Sequence, residues 1–148
     1  MNKEVKLKQP NPTKVFLGGT CNNSTWRDEL ITKLQIDYFN PVVEDWTPEC
    51  KKEELEQRIK CNFCLYVITP EMIGVYSIAE AVDDSNKQPR KTVFCFLYEY
   101  NGICFNQSQI NSLKEVGNMI TRNGGYYLQN LNDVAEFLNQ EFVSFDLQ

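Results

Sequence analysis

Histidine is absent from all 148 residues of the chain. Its side chain is the one whose ordinary pKa lies closest to neutrality, and Ser-His and Cys-His catalytic pairs depend on it as the general base. Catalytic sites of both kinds are therefore excluded. Any acid–base chemistry at neutral pH has to use carboxylates, tyrosines, cysteines or lysines.

Cysteine occurs six times but offers no complete metal site. Cys61 and Cys64 have the spacing of zinc ligands, yet the sequence has no second pair of this kind and no histidine to complete a site. Cys64 and Cys95 lie inside apolar runs, where cysteine behaves as a small buried hydrophobe. We therefore expect reduced structural thiols, no metal ion and no organic cofactor.

Long apolar runs and a basic surplus are also missing. No run reaches the roughly 18 apolar residues of a membrane-spanning helix, and residues 1–6 lack the apolar stretch of a secretory signal. We expect a cytoplasmic protein without a membrane partner. The net charge of −5 disfavours binding to a nucleic-acid polymer. Glycine patterns for dinucleotides or nucleoside triphosphates do not occur.

What the sequence does contain is a regular alternation of apolar runs and amphipathic stretches. Residues 1–13 are polar and carry two prolines, which predicts an extended lead-in to one domain over residues 14–148. The predicted strands are 15–17, 38–43, 63–69, 91–97 and 126–128. The predicted helices start at Thr25 and Pro48, contain Glu80, and cover 110–120 and 132–140, with a loop over 98–107.

This alternation, with short connections, is typical of a parallel sheet covered by helices on both faces. Five strands favour a single-domain α/β fold of the flavodoxin-like (Rossmann-like) kind, with strand order 2-1-3-4-5. Pro41 lies in the second predicted strand and cannot donate a ladder hydrogen bond. It therefore favours an edge position for that strand, which the order provides.

In this order the chain reverses direction between strands one and three, and the crevice outside their carboxyl ends is the expected ligand site. Three loops converge there: residues 18–20 after the first strand, 44–46 after the second and 71–77 after the third. A site for a small molecule is thus predicted from topology.

Several residues of these loops have two interpretations. Gly18 and Gly19 either let backbone N–H groups approach a sugar or phosphate or simply form a tight turn. Asp45 either hydrogen-bonds or protonates a departing base, or is a solvated acid. Trp46 either stacks on a planar base or anchors its loop.

Glu80 lies just inside the helix that follows the third strand. Ser77 and Glu80 have the spacing of a capping box, in which the glutamate only returns a hydrogen bond to the backbone of the cap residue. A carboxylate at this place can also act as a nucleophile on an electrophilic carbon, as in many glycosidases.

Four segments, taken in order, resemble the nucleoside 2-deoxyribosyltransferase-like family: residues 15–19, 26–27, 40–46 and 76–80. The similarity runs over about residues 14–97. The resemblance implies a flavodoxin-like fold and an enzyme that cleaves or exchanges the N-glycosidic bond of a nucleoside, deoxynucleoside or nucleotide. It also implies a homo-oligomer, because family members share residues across subunits.

The resemblance further implies that Glu80 attacks C1′ of the sugar and that Asp45 recognises or protonates the base. Glu71 is an alternative acid if its loop turns inward. Family transferases carry an aspartate six residues before the nucleophile, where this chain has Gly74. That departure favours a second hypothesis, a non-catalytic module that binds or senses a nucleotide-derived ligand. The candidate catalytic residues are Glu80 and Asp45, and the candidate substrate-binding residues are Gly18, Gly19, Thr20, Trp46, Glu71, Tyr76 and Ser77.

Overall fold

Apolar strands and amphipathic helices alternate along the chain. The structure is a computed structural model that describes residues 13–21 and 23–146, with side chains as far as residue 140. The predicted lead-in lies outside these residues except for Thr13. The strands are β1 (Lys14–Gly19), β2 (Asp37–Phe39), β3 (Phe63–Ile68), β4 (Thr92–Phe96), β5 (Glu99–Tyr100), β6 (Ile103–Cys104) and β7 (Tyr126–Leu128). The helices are α1 (Trp26–Ile31), α2 (Pro48–Lys60), α3 (Tyr76–Lys87), α4 (Gln107–Arg122) and α5 (Leu131–Asp146).

Five strands pair in parallel in the order β2-β1-β3-β4-β7. The predicted fold and strand order are confirmed, with β7 as the fifth strand. Successive strand residues point to opposite faces, so Val15 and Leu17 join one core with α1 and α5 while Phe16 joins the other with α3 and α4. Both faces of the sheet are therefore covered.

The second strand has the predicted edge position but is shorter than expected. It ends at Phe39, and Pro41 lies beyond it, because proline cannot extend the ladder. Val42 and Val43, which were expected in the strand, are exposed.

Helix α2 begins as the sequence predicts. Pro48 occupies its first position, and the Thr47 hydroxyl accepts a hydrogen bond from the Cys50 N–H at 3.3 Å. None of its residues is fully buried, and both Leu55 and Ile59 are exposed. Its many charged side chains keep it on the surface.

The predicted loop over residues 98–107 contains a short antiparallel hairpin of β5 and β6. Asn101 and Gly102 form its turn with positive φ angles of 52° and 78°. Asn-Gly is the commonest sequence of such a turn, so the signal was present and the loop prediction was wrong here.

The cysteines of the central strands are buried, as predicted. Burial raises the pKa of the Cys64 thiol and of the Cys95 thiol to about 12, and all six cysteines are free thiols. The part of the chain that the structure describes holds no helix long and apolar enough to cross a bilayer.

Candidate functional site

A cavity of about 130 Å³ lies at the carboxyl ends of β1 and β3, the edge of the sheet that the topology indicates. Residues from three segments line it: the end of β1 with the following turn, the end of β3, and the start of α3. They are Gly19, Thr20, Cys21, Ile68, Gly74, Tyr76, Ser77 and Glu80. The structure thus brings together five of the nine predicted site residues.

The two glycines of β1 are required by close packing. A Cβ at Gly18 would lie 2.7 Å from the Tyr66 ring, and a Cβ at Gly19 would lie 2.1 Å from the Val67 carbonyl oxygen. Gly19 also has a φ of +119°, which L side chains rarely adopt. Gly19 lines the cavity, whereas Gly18 lies beside Tyr66 of the neighbouring strand β3.

Thr20 fixes the turn that follows β1. Its N–H donates to the Val67 carbonyl at 2.9 Å, and its hydroxyl accepts from the Thr69 N–H at 2.9 Å. Both contacts tie the turn to the end of β3.

A buried arginine holds the same turn from behind. Arg27 donates to the carbonyl oxygens of Leu17 at 2.9 Å, Thr20 at 2.7 Å and Gly19 at 3.2 Å. Burial lowers the pKa of Arg27, and the Cys21 thiol opposes this shift. Sequence reasoning noted Trp-Arg as part of a motif but did not recognise its role, which is to fix the carbonyl groups behind the cavity.

Helix α3 begins without a side-chain cap. Val75 is the residue before its first turn, so Ser77 lies inside the helix and the predicted Ser77–Glu80 capping box does not form. The Ser77 hydroxyl instead donates to the Gly19 carbonyl oxygen at 3.3 Å. The tertiary contact replaces the local one, and Glu80 is left without a capping role.

Glu80 lines the cavity with a side chain that is 19% exposed, and its Oε2 lies 3.2 Å from Nη1 of Arg58 on α2. Burial raises the pKa of the Glu80 carboxyl. The Arg58 charge opposes the shift, and the charges of Glu54 and Asp84 add to it. A carboxylate of raised pKa in a cavity is a candidate functional group.

Arg58 is itself held by a second carboxylate of α3. Its Nη2 lies 2.7 Å from Oδ1 of Asp84 and its Nε lies 3.4 Å from Oδ2. The buried Tyr66 hydroxyl donates a short hydrogen bond to Oδ2 of the same carboxylate. Sequence reasoning missed this cluster, although Glu80 and Asp84, four residues apart on one helix, share a face.

The remaining candidates lie off the cavity lining. Asp45 and Trp46 belong to the exposed segment before α2, and the Trp46 side chain is 60% exposed. Glu71 accepts hydrogen bonds from the hydroxyl groups of Ser24 at 2.6 Å and Thr69 at 3.4 Å. Among residues 13–21 and 23–146, no group of three or more acidic or cysteine side chains is placed to hold a metal ion.

The strand order, the cavity at its switch point and the half-buried carboxylate at the start of α3 define an α/β protein with a candidate small-molecule site at the carboxyl edge of its sheet. The chain belongs to the nucleoside 2-deoxyribosyltransferase-like family, whose model matches residues 12–98. The match covers β1 to β4 and includes Glu80, which confirms the resemblance. No curated protein sequence gives a significant match. The family indicates a transferase activity of the nucleoside deoxyribosyltransferase kind and a small nucleoside substrate.

Proposed function

We propose that the protein cleaves or transfers at the N-glycosidic bond of a nucleoside, deoxynucleoside or nucleotide, with Glu80 as the nucleophile. One observation carries this proposal: among the residues that the structure describes, Glu80 is the only carboxylate in the cavity lining, and it has no part in capping its helix. The family match gives the reaction class.

In the proposed reaction, a carboxylate oxygen of Glu80 forms a bond to C1′ of the sugar while the C1′–N bond breaks and its electron pair leaves with the base. The product of this step is a glycosyl ester on the enzyme. A second base, or water, then attacks C1′, and the Glu80 carboxylate leaves as an anion. Glu80 must be ionised for the first step.

The departing base also needs a proton. Glu71 lies between the lining residues Ile68 and Gly74 in the sequence, and its two hydroxyl donors hold it at the end of β3. Asp45 is the alternative, if the exposed segment 40–46 folds over a bound ligand. The nucleophile and the acid must differ in protonation state, which requires environments that push their pKa values apart.

The cavity is smaller than the roughly 300–1,000 Å³ of ordinary ligand pockets. At about 130 Å³ it fits the sugar better than a whole nucleoside. The base would then lie outside the cavity, where the exposed side chains of Tyr76 and Trp46 are the candidates to stack on it.

We also propose that the protein is a homo-oligomer. Exposed apolar side chains on α2 and before α3, among them Leu55, Ile59 and Ile73, support an association surface. Static light scattering at micromolar concentration tests this: a monomer would contradict it.

A binding or sensing module is the second candidate. Gly74 stands where family transferases carry an aspartate, and it lines the cavity without supplying an acid. Such a protein would hold the ligand without turning it over.

One experiment separates the two candidates. The protein is incubated with a panel of nucleosides, deoxynucleosides, their monophosphates and NAD, with and without a second free base, and released base is measured by chromatography. Base release by the wild type but not by Glu80→Gln supports the enzyme. A ligand-induced thermal shift without any product supports the binding module.

A further inference from the structure

A chain of polar contacts runs from the cavity to the central strand of the sheet. It starts at Glu80, passes through Arg58 and Asp84, and ends at the Tyr66 hydroxyl on β3. Tyr66 is fully buried, and the side chains of Asp84 and Arg58 are only 5% and 12% exposed. Groups this strongly buried have little freedom to rearrange.

Each side chain in this series of contacts holds the next one in place. Tyr66 donates to Oδ2 of Asp84. Asp84 in turn receives Nε and Nη2 of Arg58, a two-point contact that fixes the plane of the guanidinium. Nη1 is the nitrogen left for Glu80, and it meets Oε2.

We propose that Arg58 is a positioning residue for the reaction of Glu80: it holds Oε2 and thereby leaves Oε1 as the oxygen that attacks C1′. This inference rests on the proposed function, in which Glu80 is the nucleophile. Oε1 forms the bond to C1′, the C1′–N bond breaks, and its electron pair leaves with the base, which takes a proton from the acid.

The cluster also suits the ester that follows. When Oε1 is bound to C1′, Glu80 loses its negative charge and no longer balances Arg58. Asp84 at 2.7 Å and Asp83 at 3.8 Å still do so. The buried cation therefore keeps a partner throughout the reaction, which matters because an unpaired buried charge is costly.

The charges around Glu80 predict the direction in which its pKa should shift when one of them is removed. Burial raises the pKa of Glu80, Arg58 lowers it, and Glu54 raises it. Removing Arg58 should therefore raise the pKa further, and removing Glu54 should lower it. Among the described residues, the other titratable or charged groups around Glu80 or Arg58 are Asp83, Asp84, Tyr66, Cys64, Tyr76 and Cys21, and Lys87 pairs with Asp83.

The pKa of Glu80 can be measured without any substrate, from the ¹³C chemical shift of its side-chain carboxyl in labelled protein, assigned with Glu80→Gln. We expect Arg58→Gln to raise this pKa by about one pH unit or more and Glu54→Gln to shift it in the opposite direction. Arg58→Lys keeps the charge but not the two-point contact, so it should leave the pKa near the wild-type value.

The positioning itself is tested by measuring kcat and KM with a member of the nucleoside panel that the protein turns over. Arg58→Lys should lower kcat about tenfold or more with a smaller change in KM, because a misplaced nucleophile affects the chemical step. A wild-type kcat in folded Arg58→Lys would overturn the inference, and so would an unshifted Glu80 pKa in folded Arg58→Gln.

If Arg58→Gln does not fold, the kcat of Arg58→Lys decides the question, and Glu54→Gln still tests the predicted direction of the Glu80 pKa shift. If the wild type turns over a member of the panel and folded Arg58→Lys has the same kcat, the role of Arg58 is refuted and the proposed function stands. The expected pKa shifts in a protein that turns over no member of the panel refute the proposed function instead, and with it a role of Arg58 in catalysis.

Discussion

The Ser77 hydroxyl donates a hydrogen bond to the Gly19 carbonyl oxygen at 3.3 Å, and so joins the first turn of α3 to the last residue of β1 across 58 positions of the sequence. This contact sets the distance between the two walls of the cavity. Ser77 lies inside α3 and not at its cap position, which is Val75, so its hydroxyl is available for this contact. The arrangement frees Glu80 for contact with Arg58 and with a ligand.

Glu80→Gln tests the nucleophile directly. The amide has the same length but no anionic oxygen, so turnover should fall by at least about a hundredfold while ligand binding is retained. The melting temperature should stay near normal, because loss of the Arg58 ion pair is offset by removal of a carboxylate whose ionisation burial disfavours. Treating the wild type with a 2-fluorinated nucleoside analogue should leave the sugar esterified on Glu80, as read by peptide mass spectrometry. Full activity in Glu80→Gln would refute the mechanism.

The raised pKa of Glu80 predicts how its contribution to stability depends on pH. A carboxyl group whose pKa is higher in the folded than in the unfolded state contributes stability at low pH, and this contribution is lost as the pH rises through the folded pKa. The free energy of unfolding of the wild type, relative to Glu80→Gln, should therefore fall as the pH rises past the ordinary value of 4.5. Urea titrations of both proteins between about pH 4 and pH 8 check the sign. A difference that grows with pH would show that Arg58 outweighs burial.

Gly18→Ala should destabilise the fold. Its Cβ would lie 2.7 Å from the Tyr66 ring, and Tyr66 is fully buried with its hydroxyl bound to Asp84, so the ring cannot move away freely. We expect a loss of about 1–3 kcal/mol in the free energy of unfolding, as for other overpacked cores. Gly74→Ala is the matched control, because nothing lies within 4 Å of a Cβ there. Equal stability of the two variants in urea would contradict the packing argument.

Trp46→Ala should weaken binding of a nucleoside by about 1–3 kcal/mol, the usual range for a base stacked on an aromatic ring. Stability should change little, because this side chain is 60% exposed. The other tryptophan, Trp26, is fully buried. A change of tryptophan fluorescence on titration with a nucleoside should therefore come from Trp46 and disappear in the variant. Unchanged affinity would assign Trp46 a structural role only.

The sheet and the place of the cavity could be predicted from the sequence because both follow from short apolar runs alternating with helices, which is local information. The start of α3 could not, because Ser-x-x-Glu has the spacing of a cap, whereas a contact with distant Gly19 determines what Ser77 does. Arg58 was missed for a similar reason. It belongs to a helix of solvated charges, and its partner Asp84 lies 26 residues further on. The hairpin at Asn101 and Gly102 was missed although its turn signal was plain.

The cysteines have a practical consequence for work on this protein. Cys21 is exposed and lines the cavity, whereas Cys104 is exposed on the β5–β6 hairpin and is absent from the cavity lining. Cys64 and Cys95 are buried, and their raised pKa values make them slow to alkylate. The two exposed cysteines can therefore be used for alkylation footprinting. A ligand in the cavity would slow alkylation at Cys21, and Cys104 would serve as the internal reference. Occupancy can thus be followed by mass spectrometry before any substrate is known and without an engineered label.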